Sequence, residues 1–169
     1  MNKKQLFEKF IKDNLDNAYR FSYTYTKNQY DAEDIVNESV IKALKSINSL
    51  KNPEYIKSWF YKIISNTAIN FINKKNKTIS YEENLLENEI SEDNYEQFTF
   101  NDIVNKLDIK YRAVIVMRFL EDMSIKEISK ILDLNENSVK SRLYRGLKIL
   151  KNDMEDLKWK NLIKQNKNT

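Results

Sequence analysis

The sequence predicts an all-α protein: two small helical domains joined by an acidic linker, the second containing a helix-turn-helix. Three features carry this expectation. Apolar residues recur at intervals of three and four along most of the chain, the period of amphipathic helices. One Gly and one Pro among 169 residues leave too few turn formers for a sheet-and-turn protein. Charge falls in three blocks: net +6 over residues 1–77, −7 over 78–100, where Lys and Arg are absent, and +5 over 101–169. Two basic blocks flanking an acidic one imply two nucleic-acid-facing domains, 1–77 and 101–169, around a solvated linker, 78–100.

The composition excludes several chemistries. Without Cys or His there are no disulfides, Cys/His zinc sites, thiol nucleophiles or imidazole acid–base pairs. No Gly-rich phosphate loop occurs. No catalytic residue, metal site or cofactor is expected. An unbroken apolar run of about 18 residues, as a membrane span needs, is missing. The opening MNKKQLFEKFIKDN carries Glu8 and Asp13 and lacks the apolar segment of a signal peptide. The expected location is the cytoplasm, with no membrane insertion.

Taken in order, Phe7, Phe10, Ile11, Ala18, Phe21 and Tyr25 predict a helix over residues 5–26. A loop at Lys27–Tyr30 precedes DAEDIVNESVIKALKSI, a helix expected to start at Asp31. Its inner stripe is Ala32, Ile35, Val36, Val40, Ala43, Leu44 and Ile47, and its outer face shows Glu33, Asp34, Asn37, Glu38 and Lys42. A loop over Asn48–Asn52 follows. Asn52-Pro53-Glu54 starts the next helix with a cap, a Pro at the first position and an acid. That helix buries Ile56, Trp59, Phe60, Ile63, Ile64, Thr67, Ala68, Phe71 and Ile72, and aligns Lys62, Asn66, Asn70 and Lys74 on its polar side. Tyr55 and Tyr61 are expected at its more open edge. Residues 76–98 have weak periodicity, with at most a helical turn near Glu83–Leu86. Ile103, Val104 and Leu107 open the second domain.

Tyr111, Val114, Ile115, Arg118 and Phe119 then fall at helical spacing. Ser124–Glu127 has the S-x-x-E form of a capping box ahead of Ile125, Ile128, Ile131 and Leu132. Asp133-Leu134 makes a turn, and Asn135 caps the next helix. There Val139, Leu143, Leu147 and Leu150 form an apolar stripe, and Gly146 marks close helix packing. The outer face carries Asn137, Ser138, Lys140, Ser141, Arg142, Tyr144, Arg145 and Lys148. A DNA major groove admits one such helix, with donors near its N-terminus reaching base edges and later cations meeting phosphates. The competing interpretation is a solvated basic face on an ordinary amphipathic helix. Beyond Leu150 the chain is expected to stay helical, with Met154, Leu157 and Leu162 on one side, and to fray over Lys164–Thr169.

Two stretches together resemble a known family. DAEDIVNESVIKALKSI followed by SWFYKIISNTAINFINKK is similar to region 2 of bacterial sigma factors. Leu107–Leu150, with EISKIL and SVKSRLYRGLKIL, is similar to their region 4. The order and short length resemble the extracytoplasmic-function (ECF) group. The chain departs from the family at Asp108, often Pro, at Asp133, often Gly, and at Asn137 or Ser138, one of which replaces an early Gly. Asp is an acceptable cap and tolerates left-handed backbone.

The resemblance implies three sites. Asp31, Glu33, Asp34, Asn37 and Glu38 match the face that docks on the β′ clamp helices of core RNA polymerase. Asn48, Ser49, Leu50, Lys51 and Asn52 in the loop, with Lys62, Asn66, Asn70 and Lys74 on the long helix, match the part that opens the downstream (−10) promoter element and holds its non-template strand. Asn137, Ser138, Lys140, Ser141, Arg142 and Arg145 match the reader of the upstream (−35) element. Partners implied are core polymerase, at its β′ clamp helices and β flap, promoter DNA and an anti-sigma factor. Two rivals stand beside this: a stand-alone helix-turn-helix regulator of duplex DNA, and a metal nuclease built on the Asp31–Glu38 carboxylates, which the lack of His disfavours.

Overall fold

The computed structural model of the chain describes residues 2–82 and 104–167. Every regular element among them is a helix. The helix α1, Lys3–Thr26, starts in a capping box: Gln5 N donates to Asn2 Oδ1 at 2.9 Å, and Asn2 N donates to Gln5 Oε1 at 3.1 Å. It kinks at Asn14 (φ −124°), whose side-chain amide donates to Phe10 O at 2.8 Å in competition with the backbone ladder. It ends at Lys27 in left-handed backbone, φ 53°. Asn28 then caps α2, Gln29–Lys45, by accepting from Asp31 N at 3.0 Å. The helix therefore begins before Asp31, because Asn28 is the better-placed acceptor. A 3-10 turn, Ile47–Ser49, leads to Asn52, which accepts from Glu54 N at 3.0 Å. Pro53–Tyr55 forms another 3-10 turn that runs into α3, Ile56–Glu82. This helix continues past residue 77, where the first domain was expected to end.

The helical turn expected near Glu83–Leu86 lies outside the described residues. Val104 and Leu107 are buried, and Asp108 caps α4, Ile109–Ile115, accepting from Lys110 N at 3.1 Å. The expected helix through Phe119 does not continue as an α-helix. Val116–Leu120 forms a π turn, closed by Glu121 N donating to Val116 O at 3.1 Å. The wider turn carries Phe119 outward, where it is 53% exposed rather than part of the inner stripe. Helix α5, Ile125–Leu132, has the expected capping box of Ser124 and Glu127. Asp133, in the expected turn, takes φ 52°, left-handed backbone that Asp tolerates. Asn135 caps α6, Glu136–Lys167, by accepting from Ser138 N at 2.7 Å. The helix reaches beyond the point where fraying was expected.

One position of the expected α6 stripe is corrected. Leu147 is 39% exposed, and Gly146 is the buried residue that lies between Leu143 and Leu150. The reason is close approach to α4: a Cβ at Gly146 would stand 2.7 Å from Ile115 Cδ1 and 3.2 Å from Tyr111 Cβ. Ile115 is fully buried, so its Cδ1 would have to move within the packed core. Gly146→Ala should therefore lose stability although Ala is the better helix former by about 1 kcal/mol, since overpacking costs about 1–3 kcal/mol. The expected net loss is about 1 kcal/mol, read as a fall of about 2–4 °C in Tm. An unchanged or raised Tm would mean that Ile115 can shift freely.

Helices α1, α2 and α3 close one bundle over Phe7, Phe21, Ala32, Ile35, Phe60 and Ile64. The Phe7 and Phe60 rings meet edge-on with centroids 5.1 Å apart, a favoured aromatic geometry. Helices α4, α5 and α6 close a second bundle over Val114, Ile115, Met117, Ile128, Ile131 and Val139. The two bundles are not separate bodies in this structure. Helix α3 packs on α5, α1 packs on α4, and the buried apolar side chains form one continuous cluster.

Candidate nucleic-acid interface

The outer face of α6 is open. Asn137, Lys140, Ser141 and Arg145 are exposed, while Ser138 and Arg142 are half-buried. With Leu134 and Asn135, five of the six expected reader residues line one shallow concavity: Asn137, Ser138, Ser141, Arg142 and Arg145. Lys140 is exposed on the next position round the helix. Val139, fully buried, anchors the opposite side. The capping contacts of Asn135 and the left-handed turn at Asp133 fix the first turn of α6, where donors would meet base edges. Tyr144, 71% exposed beside Arg145, joins this face.

The expected contacts on α3 and its leading loop divide. Asn66, Asn70 and Lys74 are exposed, and Asn70 and Lys74 share a groove with Lys42, Thr67, Asn73 and Lys77. The α3 register continues to Lys77, but the α2 side of the groove, where Lys42 reaches Thr67 Oγ1 at 3.2 Å, could not be read from α3 alone. Lys62 lies 12 residues before Lys74, about 18 Å along the helix at 1.5 Å per residue, and is not in that groove. Its ammonium donates to Asp133 Oδ1 at 2.6 Å and to Lys130 O at 3.1 Å. In the loop, Asn48, Ser49 and Lys51 are exposed and Asn52 is half-buried, whereas Leu50 is 2% exposed. Leu50 is therefore a packing residue in this conformation. Trp59 and Phe60 pack inward as expected. Trp59 Nε1 also donates to Ser49 Oγ at 3.1 Å and so fixes the loop.

The acidic face of α2 is presented almost as the sequence implies. Glu33, Asp34, Asn37 and Glu38 are exposed. Glu38 pairs with Lys42 one turn on, at 2.7 Å. Asp31 departs from the group: it is half-buried and held by Lys75 of α3 at 2.6 Å.

Polar groups between the bundles were not foreseen. Arg112, 4% exposed, donates from Nε to Thr24 O at 2.6 Å and from Nη1 to Asn105 O at 3.0 Å and Leu107 O at 3.1 Å. Burial lowers its pKa, with Asp108 opposing. Tyr61, expected at an open edge, is 1% exposed, and its hydroxyl donates to Glu121 Oε2 at 2.6 Å. Burial first, then the Glu121 carboxylate, raises its pKa. Lys57 Nζ donates to Glu121 O at 2.6 Å. Within the first bundle, Tyr25 Oη and Ser65 Oγ are 2.8 Å apart, and burial pushes the Tyr25 phenol up to about 12. A lone Arg in the apolar run YRAVIVM was the available signal for Arg112. Nothing local marked Glu121.

Residues 10–78 match the family description "Sigma-70 region 2", and residues 98–150 match "Sigma-70, region 4". The chain is 41% identical over 157 residues to the RNA polymerase sigma factor SigV of Bacillus subtilis, covering 89% of this chain and 95% of that protein. The chain belongs to the sigma-70 family of RNA polymerase sigma factors, which is not a class of enzymes. Within the family its likeness extends to the ECF group: it is 28% identical over 159 residues to the ECF sigma factor SigW of Bacillus subtilis, covering 84% of this chain and 85% of that one. In fold it is similar to the sigma factor RpoE of Bartonella quintana solved with the anti-sigma factor NepR, at TM-score 0.76 and 19% identity over 88% of this chain and 96% of that one. It is also similar to CnrH solved with the cytosolic domain of CnrY, at TM-score 0.64 and 16% identity over 89% of this chain and 88% of that one. No described helix is long and apolar enough to cross a membrane.

Proposed function

We propose that the chain is an ECF-type sigma factor that docks on core RNA polymerase through α2, reads the −35 element with α6 and opens the −10 element with the loop before α3 and the Asn70–Lys74 groove. The observation that carries this is the pairing of two exposed faces of opposite character on the two sigma regions. One is acidic, on α2. The other is basic and amide-rich, on a helix-turn-helix with intact caps. It acts in the cytoplasm, without catalysis or cofactor of its own, and an anti-sigma factor is its expected antagonist, as the two solved neighbours are each held by a partner of that kind or a cytosolic domain. Run-off transcription with purified core polymerase on a promoter library tests the reading. Promoter-independent output would overturn it.

Two substitutions divide the surfaces. Asp34→Lys and Glu38→Lys should keep the fold, since both residues are exposed and surface changes seldom cost much. Charge reversal at a docking face introduces like-charge contact, so binding to core polymerase should fall by about tenfold or more. Normal binding by both variants would reduce the acidic face to a solvated one. Arg145 stands one turn beyond Arg142 and is the more exposed, which suits a phosphate contact. Arg145→Ala should weaken duplex binding at every sequence and reduce the salt slope by about one unit, whereas Arg142→Ala should change which elements are preferred. A salt titration of duplex binding reads both.

A further inference from the structure

The loop over residues 48–52 leads into α3, and its side chains have different roles. Ser49 closes the 3-10 turn Ile47–Ser49, its N–H donating to Ser46 O at 2.8 Å. Leu50, 2% exposed, turns inward and donates its N–H to Ile47 O at 3.2 Å. Asn52 engages Glu54 with both ends of its amide: Oδ1 accepts from Glu54 N at 3.0 Å, and Nδ2 donates to Glu54 Oε2 at 3.2 Å. Asn48 and Lys51 remain. Both are exposed, and among the described residues neither side chain makes a hydrogen bond or ion pair.

One side-chain contact ties this loop to the helix. Trp59 Nε1 donates to Ser49 Oγ at 3.1 Å across ten residues of sequence. The core places the indole, not the loop. Trp59 is half-buried and meets the fully buried Phe7 ring edge-on, with centroids 5.9 Å apart. Its N–H is therefore a fixed donor. A loop already held by Leu50 gives up little further freedom in meeting it, which is the condition for a preorganised surface.

We propose that Trp59 and Ser49 form a clasp that sets the −10 preference. Trp59 is a positioning residue. Ser49, Leu50 and Asn52 hold the loop, and Asn48 and Lys51 are its two side chains presented to the opened strand. The inference rests on the assignment of this loop to the −10 element proposed above, and it narrows five candidate contacts to two. The Asn48 amide both donates and accepts, which suits a base edge, whereas the Lys51 ammonium only donates and suits a phosphate. A held loop rejects a wrong base because it cannot rearrange around it, while an adaptable loop accommodates both. The clasp thus controls selectivity more than affinity.

The full chain with core polymerase is assayed by run-off transcription on promoters that share one −35 element and carry each single-base change in the −10 element. Ser49→Ala removes the acceptor, and Trp59→Phe removes the donor while keeping a ring against Phe7. In each, the yield ratio between the preferred −10 sequence and its variants should fall by about fivefold, the ratio that one ordinary hydrogen bond controls. The double variant should fall no further, since both changes remove one shared contact. Ser49→Thr, which keeps the hydroxyl, should restore the parent ratio. Tm and core-polymerase binding should match the parent, because the contact lies at the surface. Additive losses, parent selectivity in Trp59→Phe, no recovery in Ser49→Thr, or an equal loss of polymerase binding would each overturn the clasp. The Ser49 pair carries the test should Trp59→Phe not fold. Asn48→Ala and Lys51→Ala separate the inference from its premise. If Asn48→Ala alters the base preference while Ser49→Ala does not, the loop reads the −10 element and the clasp is wrong. If neither Asn48→Ala nor Lys51→Ala changes output at any −10 sequence, the loop assignment itself fails and the clasp with it.

Discussion

Arg112→Ala is expected to lose about 3 kcal/mol or more of folding stability, a large share of the roughly 5–15 kcal/mol that holds a domain together. The guanidinium donates to three carbonyls, Thr24 O, Asn105 O and Leu107 O, from a site 4% open to solvent. Hydrogen bonds to a charged group contribute about 1.5–3 kcal/mol each, and each carbonyl left buried without a donor carries a penalty of similar size. Partial entry of water into the vacated space limits the sum. An apolar replacement of similar length, Arg112→Met, should do little better, since it fills the space and leaves the carbonyls orphaned. Arg112→Lys should recover only part of the loss, because a compact ammonium cannot span three acceptors that a planar fork reaches. Urea unfolding at neutral pH reads this as a lowered midpoint at unchanged slope. A loss under about 1 kcal/mol for Arg112→Ala would show that these carbonyls find water readily.

Alkaline pH is expected to produce the second large effect. Tyr25 ionises at about 12 in the fold against 10.0 for the free phenol, because burial disfavours the phenolate more than the Ser65 contact favours it. The folded chain therefore holds this proton after the unfolded chain has released it. The stabilisation is fully present below pH 10.0 and is lost as pH rises toward 12. Two pKa units correspond to about 3 kcal/mol, to which Tyr61 adds in the same direction. Tyr25→Phe should cost about 1 kcal/mol near neutrality, where the hydroxyl contact is lost, and should make the alkaline decline shallower by about one proton. Urea midpoints of both proteins across this range give the two slopes. Parallel declines would place the titrating group elsewhere.

Local signals in the sequence carried the fold well. Ser124 with Glu127, Asn135, Asn52 before Pro53, and Asp133 in left-handed backbone each act within three or four residues, and each does in the structure what its chemistry implies. Periodicity was less reliable where one residue decides a face. Leu147 fits an apolar stripe as well as Gly146 does until the position of Ile115 is known. Leu50 stood in a polar loop whose composition said nothing of its inward turn. The contacts between bundles were beyond reach for a different reason. Lys62 and Asp133 are 71 residues apart, and Tyr61 and Glu121 are 60 apart. Nothing in either segment encodes that the other will arrive there. The spacing of Tyr61 on α3 alone implies an open position, and it is the second bundle that covers it.

Gly146 gives α6 the properties of a lever. The helix lies close against α4 at this residue, with ten residues of helix before it and 21 after. At 1.5 Å per residue the arms are about 15 Å and about 31 Å long. The short arm carries Asn137, Ser138 and Arg142, and the long arm extends past residue 150, where the match to region 4 stops. Turned about that fulcrum as a rigid rod, a sideways push of about 4 Å at the far end would swing the N-terminal end, the proposed reader of the −35 element, by about 2 Å. That swing is enough to break a hydrogen bond to a base edge. If α6 reads the −35 element as proposed, a partner that grips the far end of this helix would alter promoter choice by mechanics, without touching DNA.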